Sequence, residues 1–293
     1  MTAPAHDPTA EPLLAVESLS VRFAGRRGVT QALRGVGFRM GREKVAVVGE
    51  SGSGKSTLGR ALLRLVPPTG LLSGRILFQG EDILRMPERE VRRLRGRRIA
   101  MILQDARSAL DPVIPVGPQI AESWRAHARG TQAEARARAI EMLDSVHIDD
   151  PERVYDSYPH QLSGGMGQRA MIAMMLVAGP DLLIADEPTS ALDATVRLRF
   201  LSVLDEAVRD RGMGLLFITH DLGLVASFCD RVLVMYAGRI VESCAAADLE
   251  NARHPYTRGL LAARPALESA PGPLRELVRD PAWLEAPDGE AGP

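Results

Sequence analysis

Apolar residues along this chain come mostly in short unbroken runs that stop at a polar residue or a glycine. KVAVVG (44–49), RIAMILQD (98–105), DLLIADE (181–187) and GLLFITH (214–220) show no inside–outside alternation. Such runs predict strands buried on both faces, as in a mostly parallel sheet. LLAVESLSVRF (13–23) alternates in part and is rich in β-formers, and ALRGVGFRM (32–40) follows after a loop. The two predict a strand pair at the start of the fold. GRILFQG (74–80) predicts a further strand, and RVLVMYAGRIVE (231–242) a hairpin that turns at Ala237-Gly238. Helical spacing takes over in STLGRALLRLV, which ends before Pro67-Pro68, and in PEREVRRLRGRR (87–98). The arginines of the second stretch allow two readings, an anion-binding stripe or a solvated helix face. Residues 117–147 predict amphipathic helices, and MGQRAMIAMMLVAG (166–179) another. A helical block therefore interrupts the strand–helix alternation. The pattern predicts an α/β core, an antiparallel flap before it, an inserted helical lobe, and a small C-terminal appendage with HPYTRGLLAAR as a helix. MTAPAHDPTAEP and the stretch beyond Ala270, rich in proline, glycine and acids, predict poor order.

Composition narrows the function. The 293 residues carry a formal net charge of −1, so no general nucleic-acid binder is expected. No apolar run reaches the ~18–20 residues of a spanning helix. AMIAMMLVAG stops at Pro180, so any membrane role is expected to be peripheral. Cys229 and Cys244 lack metal spacing and predict free thiols in a reducing compartment. The N-terminus has no basic start and no apolar stretch of the kind a signal peptide needs.

The chemistry begins at GESGSGKST (49–57), which fits G-x-x-x-x-G-K-[ST] with a strand before it and a helix after it. Gly49, Gly52 and Gly54 let backbone N–H groups curl around phosphate oxygens, with Glu50, Ser51 and Ser53 between them. Lys55 is expected on the β- and γ-phosphates, Ser56 on Mg²⁺ and Thr57 on the α-phosphate. Asp186 and Glu187 end a buried strand, an unusual place for two carboxylates. Asp186 is the expected Mg²⁺ partner, and Glu187 the base that polarises the attacking water. His220 and Gln104 close two other core strands. His220 is expected at the γ-phosphate, and Gln104 at Mg²⁺ or the attacking water. A second glycine pair lies in LSGGMGQR (162–169).

With Lys55, Gln104, LSGG, Asp186-Glu187 and His220 in this order, residues 13–243 resemble the ATP-binding subunit of ABC transporters. The resemblance implies a P-loop NTPase cassette with a RecA-like core at 13–251, its helical subdomain at about 106–178, and an extension at 252–293. LSGGMGQR resembles the family signature and SALD (190–193) its D-loop. Two cassettes then sandwich ATP head to tail, so Ser163, Gly164, Gly165 and Gln168, with Asp193, serve the partner's nucleotide. Phe23 is the candidate for stacking on adenine, with a core phenylalanine as the alternative. Ala106 stands where relatives usually have proline, and Gly167 where a larger polar residue is usual.

HPYTRGLL (254–261) resembles the C-terminal extension of the peptide and nickel importer ATPases. That resemblance implies a second ATPase, giving a heterodimer, two membrane permeases and an extracytoplasmic solute-binding protein. It places the chain at the cytoplasmic face of the membrane, with the permeases docking near Gln104 and DARSALDPVIPVG. Cargo stays open between dipeptide, oligopeptide, glutathione, nickel and metallophore. No iron–sulfur cluster is expected from two cysteines. A soluble ABC ATPase without a permease is the rival reading.

Overall fold

The computed structural model describes residues 11–25, 28–102, 109–190, 193–263 and 283. Gln104, Ala106 and nearly all of the two expected tails lie outside the described residues. The strands are β1 (Leu14–Gly25), β2 (Gly28–Met40), β3 (Lys44–Val48), β4 (Gly70–Phe78), β5 (Glu81–Asp82), β6 (Ile99–Ile102), β7 (Leu182–Asp186), β8 (Gly214–Ile218), β9 (Arg231–Tyr236) and β10 (Arg239–Ala245). The helices are α1 (Lys55–Leu62), α2 (Glu88–Leu94), α3 (Val116–Arg125), α4 (Gln132–Ser145), α5 (Pro151–Asp156), α6 (Gly164–Leu176), α7 (Ala194–Arg211), α8 (Leu222–Phe228) and α9 (Pro255–Ala262). Two compact units emerge, one of Met1–Arg85 with Phe217–Pro293, the other of Met86–Leu216.

In the first unit the expected flap is present. β1 pairs antiparallel with β2, from Leu14 opposite Met40 to Gly25 opposite Gly28. β4 pairs antiparallel along the other edge of β1. β3 and β9 are parallel, with Val45 opposite Arg231 and Val48 opposite Val234. β10 returns antiparallel along β9. Its tight turn has Ala237 at φ 44° and Gly238 at φ 84°. Two successive left-handed residues match the twist of a two-residue hairpin. β3 is sealed because Val45, Ala46, Val47 and Val48 have no solvent exposure. Each such side chain contributes about 1.5–3 kcal/mol if it is as large as valine.

α1 is shorter than the apolar spacing predicts. Arg64 takes φ 52°, and Leu65 N–H bonds back to the Arg60 carbonyl at 2.8 Å. A left-handed residue closes the helix three positions before Pro67.

In the second unit, β6 and β7 are parallel, with Ile99 opposite Leu182 and Ile102 opposite Ala185. The helical block between them consists of α3 to α6. Thr131 and Glu134 form a reciprocal capping box that starts α4. Only Val91 of α2 is buried, while Arg95 and Arg92 reach Glu88 at 2.7 and 3.8 Å. The arginine-rich stretch is therefore an ion-paired, solvated face. α7 was not evident from apolar spacing, because charged residues dilute its stripe. Its ends are nonetheless marked, by Asp193 as N-cap and Gly212 as a left-handed C-cap. Among the described residues no helix is long and apolar enough to cross a membrane.

Candidate functional site

The loop between β3 and α1 is wedged into the hairpin behind it. Gly49 sits at φ 148°, and a Cβ there would lie 2.2 Å from the Met235 carbonyl oxygen. Gly54 sits at φ 106°, and its Cβ would lie 2.7 Å from the Ala32 carbonyl oxygen. Only glycine satisfies both demands, of backbone sign and of space. The Gly238 N–H donates to the Ser53 carbonyl at 2.9 Å. The β9–β10 turn thus pins the crest of the loop.

Lys55 opens α1 and is 6% exposed. Its ammonium donates to the Gly49 and Glu50 carbonyls at 2.7 and 2.8 Å. A buried cation held against main-chain oxygens at a helix N-terminus suits an incoming polyanion. Ser56 and Thr57 follow, both half-buried. The Ser53 hydroxyl is buried with no hydrogen-bond partner among the described residues. An unsatisfied buried donor in a glycine loop fits a phosphate oxygen. A cleft of about 150 Å³ runs between Glu50, Ser51, Gly52 and Ser53 and the Tyr236–Ala237 corner.

In the same unit, the Thr219 N–H donates to the Val47 carbonyl at 3.1 Å, which aligns the end of β8 with β3. The next residue, His220, is exposed. Asp221 then caps α8 by accepting from the Leu224 N–H at 3.1 Å. Phe23 lies half-buried near the end of β1, against Gly70.

The second unit carries the paired carboxylates. Asp186 ends β7 and is 1% exposed. Glu187 follows at φ 47°, in the left-handed region. Its carbonyl accepts from both the Ser190 N–H and hydroxyl, at 3.2 and 3.1 Å. Strained backbone at a carboxylate beside a buried aspartate is a mark of a working site.

LSGGMGQR forms the start of α6. Ser163 is its N-cap and accepts from the Met166 N–H at 3.3 Å. Gly164 is exposed and opens the helix. A Cβ on Gly165 would meet nothing nearer than the Val196 methyl at 3.5 Å. The Gln168 side-chain oxygen is buried without a hydrogen-bond partner among the described residues. Asp193 bonds to the Thr195 and Val196 N–H groups, each at 3.0 Å.

One contact has no precedent in the motifs. The Glu50 N–H donates to the Tyr256 hydroxyl at 2.9 Å. HPYT marks a family extension in sequence, but nothing in its spacing announces a bond to a loop 206 residues earlier. The two cysteines are free thiols. No group of three or more potential metal ligands of the His, Cys, Asp or Glu type forms among the described residues.

Comparisons with known proteins agree with this geometry. Residues 33–190 match the ABC transporter family model. A probable peptide ABC transporter ATP-binding protein of Sinorhizobium fredii is 49% identical, over 87% of this chain and 77% of its own. The dipeptide transport ATP-binding protein DppD of Bacillus subtilis is 42% identical, over 94% and 84%. Among solved structures, a dimeric ATP-binding cassette in a post-hydrolysis state with ADP and phosphate aligns at a TM-score of 0.70. It is 25% identical, over 80% of this chain and 98% of that one. A chain with this loop, these strand-end carboxylates and this helix start belongs to the ABC transporter family, as an ATPase cassette.

Proposed function

We propose that the chain is the ATP-hydrolysing subunit of an importer for peptides or related small solutes. The observation that carries the catalytic half is the Gly49–Thr57 loop, with Lys55 buried against its carbonyls. The importer half rests on the relatives, whose names specify peptide and dipeptide transport.

In this reading the loop N–H groups and the α1 N-terminus bind the ATP phosphates, and Lys55 moves from the loop carbonyls to the β- and γ-phosphates. Ser56 and Asp186, with Gln104, supply the oxygen donors that suit a hard cation such as Mg²⁺. When bound, Mg²⁺ neutralises charge between the β- and γ-phosphates. Glu187 draws a proton from the attacking water, and His220 donates a hydrogen bond to the γ-phosphate. Phe23 stacks on adenine. Ser163, Gly164, Gly165 and Gln168, together with Asp193, serve the nucleotide held by a second cassette. Closure of the pair excludes water and drives two permeases at the cytoplasmic face of the membrane.

Two measurements test this. Lys55→Ala should abolish Mg·ATP binding by the purified chain; retained binding would remove the loop from the site. Gentle purification from native membranes should recover two permeases and a second cassette ATPase. Recovery free of any permease would favour a soluble ABC ATPase instead.

A further inference from the structure

The C-terminal extension does more than follow the cassette. Tyr256 has no solvent exposure and lies in α9, which starts at Pro255. Its position is set from β10. The Glu242 carboxylate accepts from the Arg253 N–H at 2.6 Å and from the His254 N–H at 3.3 Å. His254 then caps α9, its Nδ1 accepting from the Tyr256 N–H at 3.2 Å. The Tyr256 ring packs on Tyr236, at 4.5 Å between centroids. Trp283 completes a triangle of rings, 5.6 Å from Tyr236 and 5.8 Å from Tyr256. Three aromatic rings thus fix one hydroxyl, and that hydroxyl accepts the Glu50 N–H at 2.9 Å. Tyr236 and Glu50 also line the cleft beside the glycine loop.

We infer that Tyr256 is a positioning residue for the ATP cradle, and that Trp283 and Tyr236 hold it in place. The inference rests on the reading of Gly49–Thr57 as the ATP loop. A peptide N–H bonded behind the loop fixes the plane of the Gly49–Glu50 peptide. That plane sets where the Gly49 carbonyl points, and the Gly49 carbonyl is one of the two oxygens holding Lys55. The extension therefore tunes the affinity of the cradle through a single main-chain hydrogen bond.

The test uses the full chain. Tyr256→Phe keeps the ring and removes the acceptor. It should weaken Mg·ATP binding and raise KM about 3–10-fold, as expected for one lost hydrogen bond, while kcat changes by less than about twofold. Amide exchange at Glu50 should accelerate, with the β3 amides unchanged. Unchanged affinity and unchanged Glu50 exchange, beside a Lys55→Ala chain that no longer binds ATP, would overturn the inference and leave the ATP reading standing. Retained ATP binding by Lys55→Ala would instead overturn the ATP reading itself. A second readout is independent of the Tyr256 variant. The chain has two tryptophans, so Trp124→Phe leaves Trp283 as the lone emitter. Its fluorescence should respond to Mg·ATP, and should not respond when Lys55→Ala is added. A silent Trp283 in an ATP-binding chain would count against the coupling.

Discussion

In the proposed function, Glu187 carries both chemistry and strain. Its φ of 47° costs roughly 1–2 kcal/mol relative to glycine in the same place. Glu187→Gly should therefore melt higher than Glu187→Ala, by about 1 kcal/mol in denaturant titrations. Glu187→Gln should retain ATP binding and lose roughly 10²–10⁴-fold in turnover if the carboxylate is the base. Turnover at the parent rate would assign the proton transfer elsewhere. Cys229 offers a pH test. Burial pushes its thiol from an ordinary 9.0 up to about 12. The unfolded chain thus releases this proton first, and the Cys229 contribution to stability is lost as pH rises from about 9 toward 12. At pH 8 its alkylation should be slow in the native chain and fast once denatured.

At the scale of elements, the loop between β3 and α1 separates strain from collision. At Gly52 an added Cβ meets nothing within 4 Å, although φ is 82°. At Gly49 it meets the Met235 carbonyl at 2.2 Å. Gly52→Ala should cost only the backbone term, about 1–2 kcal/mol, whereas Gly49→Ala should exceed about 3 kcal/mol or fail to fold. Thermal melts of the two variants decide it. This element was fully legible in sequence, because glycine spacing, buried strand and following helix all point the same way. β3, β7 and β8 were legible for a similar reason, since four or five consecutive apolar residues leave little choice. α7 was not, because arginines and acids interrupt its stripe. The Tyr256–Glu50 bond was invisible, since the position of a hydroxyl depends on tertiary packing that no local pattern encodes.

For the whole molecule, the cradle and the signature belong to different units of the chain. On the proposed function each cassette supplies one half of a site to its partner. The chain alone should bind ATP yet turn it over slowly, and adding the partner cassette should raise the rate per subunit. With Glu187→Gln here and the matching substitution in the partner cassette, ATP should hold the pair together, visible in light scattering as the summed mass of the two chains. A chain that hydrolyses ATP at full rate as a dilute monomer would contradict the shared-site reading.

The signature has a consequence for how its damage is recognised. Gly165 lies in a helix with room around it, so alanine there meets only ordinary contact at 3.5 Å. Gly165 is the second residue of α6, so alanine there gains at most part of the about 0.5–1 kcal/mol that it gains over glycine in a helix interior. Gly165→Ala should therefore leave the isolated chain as stable as before, or more so. If turnover measured with the partner cassette falls all the same, the obstruction lies where the signature meets the partner's nucleotide and not in the chain's own fold. Stability kept in the chain alone, with activity lost in the pair, would be the imprint of a neighbour on a residue whose own fold does not need it.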